Sequence, residues 1–197
     1  MKILAVTVVL AGAVAGNELI TKKTRYPMAL SRKVIHVLST VIVCAGTWFM
    51  DYRLYAIVGA IFVPLTILFR RKAFKSLADR SEASYGEVAL PVGIALAALL
   101  PIGREGFILS VLFMGLSDTA GYAAGKWLKR PRLLFGKTLP GSLAFFLSAL
   151  IICLPFGLPL PHAGLLAAVG AVTELASPYG LDNATVPPLT GLVFMLL

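Results

Sequence analysis

The feature that most constrains this chain is a succession of apolar runs at 3–20, 34–50, 54–69, 87–100, 106–128, 139–155 and 163–177, with a shorter one at 184–197. A helix crossing a bilayer needs about 20 largely apolar residues and satisfies its backbone polar groups internally. Runs of this kind leave connections too short for a separate soluble domain, so 1–197 is expected to be a single transmembrane domain. The composition agrees, with 58% hydrophobic and only 14% charged residues, where soluble domains carry about a quarter charged. The expected fold is all-α: a polytopic, multi-pass integral membrane protein of seven to eight transmembrane helices. The last run leaves the count open, because it contains Pro187 and Pro188 and reaches only about 21 Å against a core of about 30 Å.

The net charge is +9, and its distribution is informative. Lys22, Lys23, Arg25, Arg32 and Lys33 lie in the first loop, Arg70, Arg71, Lys72, Lys75 and Arg80 in the third, and Lys126, Lys129, Arg130, Arg132 and Lys137 in the fifth. The second, fourth and sixth loops hold only Arg53 and Arg104. Cytoplasmic loops are the basic ones, so the N-terminus is expected outside and the odd loops in the cytoplasm. Residues 1–16 also resemble a secretory signal peptide. Cleavage there would put all three basic loops outside, so 3–20 is read as the first span. Cys44 and Cys153 sit in apolar runs, where a thiol behaves as a small hydrophobe. No nucleic-acid partner is expected.

Ionisable residues inside a membrane are costly and mark functional sites. Asp118 lies within the fifth run, and helical spacing puts it on one face with Gly121 and Gly125. Those glycines fit either close helix packing or close approach of a phosphate chain. The same stripe leaves room for a homodimer. Packing gives no reason to bury a carboxylate, whereas Mg²⁺ carried by a nucleotide takes one or two carboxylates plus phosphates. The remaining polar clusters fall on the same predicted face. They are Arg32, Lys33 and His36 where loop one enters the second span, Glu82–Glu87 before the fourth, and Gly136-Lys137-Thr138-Leu139-Pro140-Gly141-Ser142 opening the sixth. Glu174 lies near the cytoplasmic end of the seventh span, and Asp182 and Asn183 lie in the loop after it. Basic groups neutralise transferring phosphates, carboxylates hold a metal or accept a proton, and a helix N-terminus attracts anions. The Gly136–Ser142 segment lacks Walker A spacing.

Ser31–His36, Ser117–Lys126, Gly136–Ser142 and Glu174 with Leu181–Pro187 together resemble the dolichol kinase/phytol kinase family, in order and spacing from about residue 17 to 191. That resemblance implies a membrane enzyme that moves the γ-phosphoryl group of CTP, with Mg²⁺ or another divalent cation, to the hydroxyl of a lipid alcohol. Phytol, farnesol, polyprenol or dolichol, and diacylglycerol are all within its range. It further implies that Arg32 and Lys33 bind phosphates, and that Asp118, Gly125 and Lys126 line the nucleotide–metal site. Lys137, Thr138, Gly141 and Ser142 would form a second phosphate segment, and Glu174, Asp182 and Asn183 would complete the site. His36 matches a family position without an assigned role. Asp118, Glu174 and Asp182 remain alternatives for metal ligand and base. Ala184 stands where the family usually has Leu. Parts of the second and third motifs also resemble CTP:phosphatidate cytidylyltransferases, which would attach CMP to a lipid phosphate. Those enzymes carry a late Asp and Lys-Arg motif, and this chain has no Lys or Arg after Lys137. A transporter or lipid-binding membrane protein is the non-enzymatic alternative.

Overall fold

In the computed structural model, residues 1–24, 27–70 and 85–197 are described. Arg25, Arg71, Lys72, Lys75, Arg80 and Glu82 lie outside them. Among the described residues the chain is all-α, with eight helices of fourteen residues or more. They are α1 (Lys2–Lys23), α2 (Met28–Gly46), α3 (Tyr55–Arg70), α4 (Gly86–Leu99), α5 (Gly103–Leu128), α6 (Leu139–Cys153), α7 (Leu160–Ala176) and α8 (Asp182–Leu196). Four stretches, Lys2–Lys23, Ala29–Gly46, Gly103–Leu128 and Leu139–Phe156, are long and apolar enough to cross a membrane.

Two differences from the sequence-based expectation concern the site. Helix α2 begins at Met28, after Pro27, so Arg32 and Lys33 stand in a helix and not in loop one. Lys33 is tolerated there because it has a carboxylate partner, and the same turn is tied to α1 by Asn17 Nδ2 donating to Ser31 Oγ at 2.8 Å. Asp182 and Asn183 are likewise the first residues of α8, not part of the preceding loop. Asp182 suits that position, since a carboxylate is favoured in a helix's first turn.

Lipid tails are as apolar as leucine, so packing between membrane helices depends on close fit and small residues. One apolar core gathers Leu10, Val43, Tyr55, Val58, Ile94 and Phe107 from α1 to α5. A second gathers Phe113, Phe145, Ala149, Leu166 and Val186 from α5 to α8. Helix α5 thus serves both. On α6, Phe145 and Ala149 are fully buried while Leu143, Leu147 and Ile151 are more than half exposed, the split of a helix with one protein face and one lipid face. Small residues set the tightest crossings. A Cβ on Gly93 would run into the Asn183 carbonyl oxygen, and one on Gly115 into Thr40 Oγ1. These contacts lock α4 to α8 and α2 to α5.

Helix α5 is not uniform. A π-helical turn, Phe113–Ser117, interrupts it immediately before Asp118. Such turns occur mostly as single insertions at functional sites. This one shifts the face carrying Asp118, Gly121 and Gly125 relative to Phe107 and Val111.

Candidate functional site

The site grows from the start of α2, the middle of α5, the loop after α5, the end of α7 and the start of α8. Asp118 follows the π turn, and Lys33 reaches it from the second turn of α2, with Nζ 2.5 Å from Asp118 Oδ2. His36 lies one turn further along α2, with Nδ1 3.6 Å from the same oxygen. Lys33 also stands over the Tyr122 ring at 5.1 Å, and Lys126 approaches that ring at 5.7 Å. An aromatic face attracts cations, so Tyr122 holds both ammonium groups on one side of α5. Tyr122 lies within the Ser117–Lys126 motif, but the sequence alone gives it no role. It is four residues from Asp118 and shares its helix face.

The loop between α5 and α6 supplies the second lysine. Phe135 and Gly136 both adopt positive φ, 53° and 78°, reversing the chain so that Leu133 N–H donates to the Lys137 carbonyl at 2.6 Å. The reversal aims Lys137 inward. Its Nζ is 2.6 Å from Glu174 Oε1 and 2.9 Å from Asp182 Oδ2, and it also donates to the Glu174 carbonyl. Burial works against the charged ammonium, but Asp182 and Glu174 outweigh it and raise the Lys137 pKa above the usual lysine value. Thr138 then caps α6, its hydroxyl oxygen accepting from Gly141 N–H at 3.2 Å.

Asp118, Glu174 and Asp182 each present a carboxylate oxygen, all within 4.8 Å of one another. Glu174 Oε2 is buried without a hydrogen-bond partner. Clustered carboxylate oxygens with one left unsatisfied fit a hard divalent cation, which prefers oxygen ligands.

A cavity of about 990 Å³ connects these groups. Arg32, Lys33, His36, Asp118, Gly121, Gly125, Lys126, Lys137, Thr138, Gly141, Ser142, Glu174, Asp182 and Asn183 all line it, so the structure brings every sequence-selected site residue to one cavity. Glu87, in the first turn of α4, lines it too. Three of these residues have evident packing duties as well. Asn183 Nδ2 donates to the Gly86 carbonyl at 3.1 Å, tying α8 to the start of α4. A Cβ on Gly121 would lie 3.0 Å from the Gly141 carbonyl oxygen, and one on Gly125 2.8 Å from Thr138 Oγ1. Those two glycines therefore seat α6 on α5 within one chain. The homodimer they left room for gains no support.

The chain is similar to phytol kinase from Synechocystis sp. (strain ATCC 27184 / PCC 6803 / Kazusa), with 26% identity across 90% of this chain and 83% of that protein. No family model and no solved structure matches it. A likeness that spans nearly the whole chain supports the dolichol kinase/phytol kinase resemblance carried by the motifs, that of a kinase-like phosphotransferase acting on an alcohol.

Proposed function

We propose that this protein phosphorylates the hydroxyl of a membrane lipid alcohol, using CTP as donor and a divalent cation such as Mg²⁺, at the cytoplasmic face. The observation that carries this reading is the meeting of Lys33 and Lys137 with Asp118, Glu174 and Asp182 in a cavity that continues into an apolar arm. Two ammonium groups and three carboxylates suit a polyphosphate with its cation, while the apolar arm suits a lipid. The odd basic loops favour the cytoplasmic side.

Phosphoryl transfer depends mainly on positioning and charge stabilisation. Asp118, Glu174 and Asp182 are the residues that would hold the cation. Bound there, it would neutralise charge on the transferring phosphates. Lys33 and Lys137, ion-paired to the carboxylates, donate to phosphate oxygens as the nucleotide enters. The N-terminal turn of α6, with Thr138, Gly141 and Ser142, adds partial positive charge to the same region. His36 lines the cavity, and its Nε2 is buried without a hydrogen-bond partner. That nitrogen is suited to orient the alcohol and take its proton. The alcohol oxygen then bonds to the γ-phosphorus, the bond from that phosphorus to the β-bridging oxygen breaks, and the nucleoside diphosphate leaves.

CTP labelled separately at the α and γ positions tests the reading, with purified protein and candidate lipids in detergent. γ-Label in the lipid is expected. α-Label would establish cytidylyl transfer instead, and no label in any lipid would favour transport or binding. ATP and UTP run alongside identify the donor.

A further inference from the structure

The apolar arm of the cavity takes no part in the phosphoryl transfer itself. It leads from His36 between α1, α2, α3 and α4. Along α2 its lining runs from His36 through Ser39 to Val43, and along α3 from Thr66 back to Tyr55. At a rise of 1.5 Å per residue, its far end lies about 10 to 16 Å beyond the polar mouth. Val43, Tyr55, Val58 and Ile94 close that end, none more than 5% exposed. This floor is braced: the Tyr55 hydroxyl donates to the Val43 carbonyl at 2.8 Å, and its ring stacks on Phe107 at 5.5 Å. A braced wall of packed side chains yields little to a longer ligand.

Depth narrows the occupant. An arm that closes about 10 to 16 Å beyond its polar mouth takes a tail of limited length with the hydroxyl at His36, and a long polyprenol overruns that floor.

We infer that, given the lipid-alcohol kinase reading above, this arm measures the tail of a single-chain alcohol, with Val43, Tyr55, Val58 and Ile94 setting the longest tail enclosed while the hydroxyl rests at His36. The floor is then a specificity determinant of the same reaction. Adding bulk at Val58 or Ile94 shortens the arm and discriminates against the longest alcohol that fits. A mismatch of a few carbons in an apolar pocket is worth about tenfold or more in kcat/KM.

The test uses the full chain in lipid nanodiscs with geraniol, farnesol, geranylgeraniol, a long polyprenol and diacylglycerol. In the wild type, kcat/KM should rise from geraniol to geranylgeraniol and fall for the last two. In Val58→Phe and Ile94→Phe the geranylgeraniol-to-geraniol ratio should drop about tenfold, mainly through KM. A change confined to folding would lower both alcohols together, and that unchanged ratio would overturn the inference. A second readout does not depend on turnover. Farnesol with a diazirine at the end of its tail should label peptides containing Val43, Tyr55 or Val58. Label at the floor without phosphate transfer from any nucleotide keeps the tail assignment and removes the kinase reading. Phosphate transfer with the label elsewhere overturns the measuring role.

Discussion

Lys33 Nζ stands 2.5 Å from Asp118 Oδ2, although 85 residues separate the two in sequence. Both side chains are largely buried, at 18% and 12% exposure. A buried charge that loses its partner destabilises a fold by about 3–5 kcal/mol. Lys33→Met should therefore lower thermal stability in detergent by that amount, and Lys33→Met with Asp118→Leu should recover most of it. Asp118→Asn should abolish phosphate transfer while membrane insertion stays intact. Near-normal turnover in Asp118→Asn would remove Asp118 from the chemistry.

The three clustered carboxylates predict a cation dependence that can be observed without turnover. Mn²⁺ should bind the purified chain in a single strong site by electron paramagnetic resonance. Glu174→Gln and Asp182→Asn should each weaken that binding about tenfold or more, in the range expected when a metal's environment is altered. Chelation should stop phosphate transfer and added Mg²⁺ should restore it. Equal Mn²⁺ affinity in wild type and both variants would exclude these carboxylates as ligands.

His36 should matter for the chemical step more than for nucleotide capture. Replacing a group that handles a proton typically costs about 10²-fold or more in rate. His36→Gln should lower kcat by about that factor and leave the nucleotide KM close to normal. A selective rise in nucleotide KM would instead place His36 on the phosphates.

The packing of α6 on α5 predicts a coupled pair. A Cβ at Gly125 meets Thr138 Oγ1 at 2.8 Å, so Gly125→Ala should cost about 1–3 kcal/mol by overpacking. Thr138→Ala loses the cap on Gly141 N–H and should cost about 0.5–2 kcal/mol. The double variant should be less destabilised than the two costs added, because the clash requires the hydroxyl. Strict additivity in thermal unfolding would show that the two residues do not meet.

Several parts of the candidate site were legible in sequence because each carries a local signal. Asp118 stands out in an apolar run, and Gly136–Ser142 looks like the start of a helix, which α6 is. Tyr122 carries no such signal, because an aromatic residue in a membrane helix has an ordinary packing use. Basic residues usually flank spans, so the sequence alone places Arg32 and Lys33 in a loop. Inside α2 the Lys33 charge is matched by Asp118, which lies on a helix distant in sequence.

The sequence by itself determined that this is an all-helical membrane protein, and it marked the fourteen charged, polar and glycine residues that gather in the cavity. Apolar runs and unusual charges are read along the chain, where helix formation and transfer into lipid depend on near neighbours. Only the tertiary structure decided which lysine neutralises which carboxylate, that Gly121 and Gly125 seat α6, and that four helices enclose an apolar arm below His36. Those outcomes depend on groups meeting across 13 to 85 residues. Such meetings are set by the close fit of small residues such as Gly93 and Gly115 between helices, and by the π turn that re-aims Asp118, none of which leaves a periodic trace in one dimension.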